Sequence, residues 1–178
     1  IFTYVGMSGE AAAAGYGAAT RIEQVVLLPV LGINTAIISI IAQNYGAGNY
    51  ERIKESYYTA IKYALFIMIL SGILIFITSG IIPTFFSDNL EVNHFGKKYL
   101  QISAFVLPAY PIFFLSNGFF MALKKSENAL VTNFFRNILL PVITFYVATY
   151  FMADFNTFFW IWVVSNWIFS ISLLLIVL

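Results

Sequence analysis

Charged residues occupy short intervals of this chain, and long apolar runs lie between them. Residues 24–50, 63–87, 99–123, 137–153 and 155–178 carry no Asp, Glu, Lys or Arg, and each run is 17–27 residues long. About 20 residues of helix cross a bilayer. The pattern predicts five transmembrane helices, at about 15–44, 57–83, 99–123, 129–151 and 156–178. Strands of a membrane barrel would be about ten residues long and alternate polar with apolar. Residues 64–77 are apolar on every side, so helices are the expected solution.

The connections are short and polar. Residues 46–56 hold Gly46 and Gly48, which end one helix, and then Glu51, Arg52, Lys54 and Glu55. Residues 87–98 hold Asp88, Glu91, His94, Lys97 and Lys98, and residues 124–136 hold Lys124, Lys125, Glu127 and Arg136. A tight turn with Asp154 is expected at 152–156. The first and third connections carry most of the cations, with Lys62 close by. The positive-inside rule places these two in the cytoplasm, so the first helix runs from outside to inside.

Composition agrees. The chain is 61% hydrophobic and 10% charged, against about 25% charged for soluble domains. It is expected to be an all-α membrane protein, a polytopic bundle of five transmembrane helices. A soluble enzyme, a disulfide scaffold and a disordered tail are excluded. The net charge of +1 provides no basic stripe for nucleic acid. There is no cysteine, and His94 is the single histidine, so thiol chemistry and the usual metal or triad constellations have no residues to build on. No phosphate-binding loop or dinucleotide fingerprint occurs, and Asp88 and Asp154 lie outside the spans. No enzyme activity, metal or cofactor is expected. The chain opens on Ile1 and ends within an apolar run, and residues 1–20 lack a signal-peptide pattern. The expectation is a fragment whose N-terminal part is missing.

Polar residues inside a span need a reason. Glu23 is the principal one, expected about 12 Å inside the first helix at 1.5 Å per residue. Asn34 lies eleven residues on and shares its face; Gln24 and Thr35 repeat the spacing one position over. This polar side should face a wet cavity or another helix. If the span is only 24–43, Glu23 sits instead at the outer interface and pairs with a cation. Arg21 either tunes an acid or snorkels. In the third helix Ser103, Tyr110 and Asn117 recur every seven residues, with Pro108 and Pro111 between them. Prolines there kink the helix or free a carbonyl, and broken helices of this kind make transporter binding sites; interhelical glue is the alternative. Pro29, Gly32 and Pro141, like Pro108 and Pro111, are hinge candidates or tolerated kinks. Ser165, Asn166, Ser170 and Ser172, with Trp160, Trp162 and Trp167, read as packing and an aromatic belt, as do Tyr57, Tyr58, Tyr63 and Tyr99 near span ends. His94 reads as a solvated loop residue.

Several of these residues form a recognisable series. Glu10, Gly15, Tyr16, Gly17, Thr20, Arg21 and Glu23 are followed by Leu28, Pro29 and Gly32. Next comes the run Ala42, Gln43, Asn44, Tyr45, Gly46, Ala47, Gly48, then Glu51 and Arg52. The series resembles the eighth helix of the multidrug and toxic compound extrusion (MATE) family. Ala122, Leu123 and Lys124, followed by Arg136 and Pro141, resemble that family's eleventh-helix region. The resemblance implies helices eight to twelve of a twelve-helix transporter with two six-helix lobes around a central cavity. Helices seven, eight and ten line the cavity on the C-terminal side, which would put Glu23, Gln24, Asn34, Tyr110 and Asn117 near it. It also implies export of organic cations or amphipathic compounds by antiport with Na⁺ or H⁺. The setting would be multi-pass in a bacterial or archaeal plasma membrane. The expected partners are cationic drugs, the lipid bilayer and the missing N-terminal lobe. The family's acid in helix ten has no counterpart in 99–123, so the coupling acid is either Glu23 or lies in the missing part. Alternatives are a lipid-linked oligosaccharide flippase or polysaccharide exporter, for which Arg21 is the sole cation candidate, and a non-transport scaffold or receptor subunit.

Overall fold

The computed structural model describes residues 5–6, 9–150 and 154–177. The described residues are almost entirely helical. Helix α1 is Glu10–Gly46 and α2 is Tyr50–Thr78. A 3-10 turn at Ile82–Phe85 leads to α3, Leu90–Ser103. Then follow α4, Ala109–Ala122, and α5, Ser126–Phe134. A π-helical turn at Phe135–Leu139 joins α5 to α6, Leu140–Tyr150. Helix α7 is Phe155–Val177.

The helix ends follow local chemistry. Glu10 lies in the first turn of α1, where a carboxylate favours the helix dipole. Gly48 turns the chain into α2 at φ +72°, a conformation suited to glycine. The Asn89 side chain caps α3 by accepting from the backbone N–H of Glu91 at 2.8 Å and of Val92 at 3.4 Å. Asp154 caps α7 by accepting from the N–H of Thr157 at 3.1 Å and from its hydroxyl. The rest of the expected 152–156 turn lies partly outside the described residues.

Among the described residues, four helices are long and apolar enough to span a membrane: Glu10–Gly46, Tyr50–Thr78, Ser126–Tyr150 and Phe155–Val177. They match four of the expected spans, with starts one to seven residues earlier. The third span differs. It begins at Leu90 rather than at 99, because Asn89 supplies a cap within what reads as a loop, and His94 therefore lies exposed on a helix. It then breaks at 104–108 into two 14-residue halves. Pro108 biases the residue before it away from helix. Pro108 and Pro111 then fall at the start of α4, where missing N–H groups cost little. The expected common face of Ser103, Tyr110 and Asn117 is thus interrupted, and only Tyr110 and Asn117 share one helix.

Helix α1 is the centre of the bundle and packs on α2, α3 and α4; α4 also packs on α7, and α6 on α7. One core gathers Ala19, Val30, Met68, Leu100, Leu107 and Phe158. A second gathers Ile37, Ile41, Tyr57, Ala64 and Leu115. Many large apolar side chains remain outside, among them Phe66, Leu74, Ile77, Ile138 and Leu175. In water these would be a liability; against lipid they are the expected outer surface.

Candidate functional site

Glu23 lies 13 residues into α1, about 20 Å from its N-terminal end. It is buried, with 6% of its surface exposed. The first helix starts five residues earlier than expected, so the acid sits deeper than the sequence indicates and not at the helix end. One carboxylate oxygen accepts from the Tyr99 hydroxyl on α3 and the other from the Tyr110 hydroxyl on α4. The two halves of the broken span therefore each contribute one donor to the same carboxylate. Such hydrogen bonds to an ionised group are the strong ones.

The cluster has an aromatic wall and a cation. Tyr16 meets Tyr99 edge-on at 4.9 Å and stacks on Phe159 at 5.6 Å, and Phe159 meets Tyr99 at 4.9 Å. Arg136 lies in the π-helical turn, with its guanidinium 4.9 Å from the Tyr110 ring, 4.2 Å from Phe113 and 5.5 Å from Phe114. These are cation–π distances. Arg136 thus stacks on the ring of Tyr110, the tyrosine whose hydroxyl donates to Glu23. A π-turn inside an α-helix often marks a functional position, and this one falls just before Pro141, which has no N–H for the carbonyl four residues back.

The other expected residues are distributed differently. Gln24, Pro29, Gly32 and Thr35 are exposed on the side of α1 away from the cluster. Asn34 is half-buried, and its Oδ1 is buried without a hydrogen-bond partner. It presses on Gly118 of α4, where an added Cβ would collide with it. Asn117 donates to the Thr132 hydroxyl at 3.2 Å and to the Ala129 carbonyl at 3.5 Å, tying α4 to α5. Arg21 is exposed. Trp167 donates its indole N–H to the Phe105 carbonyl at 2.8 Å, and Ser170 its hydroxyl to the Ala109 carbonyl at 3.1 Å. The polar residues of α7 therefore serve the helix break as well as packing.

Sequence reasoning missed Tyr99 and Arg136. Tyr99 begins a charge-free run and reads as an interfacial tyrosine. Arg136 reads as a connection cation even though the expected fourth span, 129–151, contains it; in the structure it lies ten residues into the helical stretch that starts at Ser126. The signal that could have found it is its position within a 25-residue helical stretch, where an unpaired arginine is costly.

The MatE family profile matches residues 1–147. The chain is 27% identical over 129 residues to the FAD transporter of Shewanella oneidensis, covering 72% of this chain and 28% of that protein. It is 26% identical over 133 residues to Bacillus subtilis YpnP, named as a probable multidrug resistance protein, covering 75% of this chain and 30% of that one. It thus spans under a third of these relatives' length. Among solved structures, a MOP-superfamily transporter from Pyrococcus furiosus superposes with TM-score 0.92 at 21% identity, covering 99% of this chain and 40% of that one. The shared architecture and the profile match over most of its length establish that this chain belongs to the MatE family, the multidrug and toxic compound extrusion transporters.

Proposed function

We propose that this chain forms part of the C-terminal lobe of an antiporter in the plasma membrane of a bacterium or archaeon. It exports organic cations or other amphipathic compounds against entry of H⁺ or Na⁺. The observation that carries the reading is the Glu23 carboxylate, buried inside a span and held by Tyr99 and Tyr110, with Arg136 stacked on the Tyr110 ring. Its chemistry is competition. A proton or Na⁺ neutralises the carboxylate from one side of the membrane, and a cationic substrate does so from the other. Only one neutralising group is held at a time, so the two fluxes are opposed. Tyr99 and Tyr110 sit on either side of the 104–108 break, so a change at Glu23 pulls on both half-helices. That links neutralisation to movement of the break.

Arg136 supports a second reading of the substrate. A guanidinium stacked on three rings is a receptor for a flat compound carrying a carboxylate or phosphate. The relative named as an FAD transporter is consistent with that chemistry.

The experiment reconstitutes the complete parent chain in proteoliposomes. A fluorescent organic cation and a flavin are loaded separately, under an imposed H⁺ or Na⁺ gradient. Gradient-driven efflux of the cation supports the first reading; efflux of the flavin, lost in Arg136→Gln, supports the second. Efflux of neither rejects both.

A further inference from the structure

A groove of about 590 Å³ runs between α2 and α7 across the helix break. Ile69, Ile73 and Phe76 line one wall, Phe105 and Pro108 the floor, and Trp160 the other wall. Its lining is almost wholly apolar. Phe105 is clamped between Phe76 at 5.9 Å and Trp160 at 5.3 Å. The Trp167 indole N–H occupies the Phe105 carbonyl.

A second hollow of about 320 Å³ shares Phe76, Phe105 and Trp160 with the groove and adds Lys98, Gln101 and Asn156. The two form one amphipathic track: aliphatic and aromatic along its length, cationic and amide-bearing at one end. Asn156 Oδ1 is buried there with no hydrogen-bond partner. Lys97 lies at the same end, its stem about 4 Å from where a Cβ on Gly80 would sit. The Asp154 carboxylate accepts its hydrogen bonds from Thr157.

These features suit one kind of occupant. The apolar wall from Ile69 to Ile77 is nine residues of helix, about 12 Å from first to last, close to the ~15 Å of one leaflet. A soluble ligand has nothing to bond along such a wall, whereas an acyl chain does. At the polar end, Lys98 offers a cation to a phosphate, and the Gln101 and Asn156 side-chain amides that line the hollow offer hydrogen bonds to a hydroxyl. Basic pockets between membrane helices bind anionic headgroups. We propose that this track binds an anionic phospholipid with a hydroxylated headgroup, of the phosphatidylglycerol type. One acyl chain lies along Ile69 and Ile73, and the phosphate sits at Lys98. The charge bias of the connections puts the site in the outer leaflet. The bound chain braces Phe105 and Pro108, the residues of the break that leads into Tyr110.

The test uses the complete parent chain, purified in a mild non-ionic detergent. Native mass spectrometry follows retention of palmitoyl-oleoyl phosphatidylglycerol and of the phosphatidylcholine with the same chains. The wild type is expected to retain phosphatidylglycerol about tenfold better. Lys98→Gln with Asn156→Ala should erase that preference. Ile73→Trp, which fills the groove, should lower retention of both lipids at least fivefold. Melting of each variant without lipid checks the fold, and Lys98→Gln alone serves if the double variant unfolds. Equal retention of the two lipids by the wild type overturns the proposal, as does unchanged retention in Ile73→Trp. So does disulfide cross-linking, in native membranes, of Ile73→Cys to a cysteine placed in the chain preceding residue 1, because a protein segment would then fill the groove.

Discussion

Tyr99 and Tyr110 each donate a hydroxyl to Glu23. Tyr110→Phe removes one donor from a buried carboxylate and leaves the Arg136 stacking ring in place. The expected result is a transport rate at least fivefold lower, with the Arg136 contact unchanged in structure. Tyr57→Phe is the matched control. Its hydroxyl pairs with Ser116 at 2.7 Å, in the second core. That change should cost about 1 kcal/mol of stability, read as a lower melting temperature, and leave transport intact. Glu23 and Tyr110 were legible in the sequence because an acid in a span and a tyrosine between two prolines are conspicuous on their own helices. Their pairing was not. Spacing along one helix tells which residues share a face; it says nothing of which face of another helix it meets. Tyr99 and Arg136 were hidden for that reason.

At the scale of elements, close backbone approaches hold the broken span. A Cβ on Gly72 of α2 would lie 2.8 Å from the Ala104 carbonyl oxygen, and one on Gly15 of α1 would lie 2.5 Å from that of Val92. Neither neighbour is a flexible side-chain end, so the backbone would have to shift. Gly15→Leu should force α1 from α3 and separate Glu23 from Tyr99, costing about 1–3 kcal/mol and abolishing transport. Gly72→Leu should disturb the break while leaving the α1–α3 contact. Asp154 tests an end rather than a crossing. The Thr157 hydroxyl and amide hold its carboxyl below the usual carboxylate range. A carboxyl lowered on folding contributes stability above its unfolded value, about 3.9, and loses it as pH falls through the lowered value. Asp154→Ala should therefore lower the melting temperature at pH 7, with the difference shrinking as the pH is taken towards 3. Helix number and order were readable from charge-free runs. Kink and break both stayed open for the third span, because Pro108 and Pro111 permit either outcome, and the Trp167 and Ser170 bonds that favour the break come from α7, some 60 residues away.

For the molecule as a whole, orientation follows from the cations of the connections. Arg136 belongs inside a span, yet the bias survives without it: Arg52, Lys54, Lys124 and Lys125 lie at one end, and Lys97 and Lys98 at the other. These 178 residues contain no cysteine, so introduced cysteines in this part report cleanly. Lys125→Cys should react with an impermeant maleimide only after the membrane is opened, and Lys97→Cys in intact cells. The opposite pattern would invert the orientation, and with it the leaflet assigned to the groove.

The central claim is that Glu23 carries the exchange between ion and substrate. The most direct measurement compares wild type with Glu23→Gln in proteoliposomes of the complete chain, following gradient-driven efflux and gradient-free binding of the same substrate. The variant should lose gradient-driven efflux, and its substrate binding should no longer respond to added H⁺ or Na⁺. Efflux at the wild-type rate, with binding still responsive to the ion, would contradict the account and place the coupling acid elsewhere in the chain.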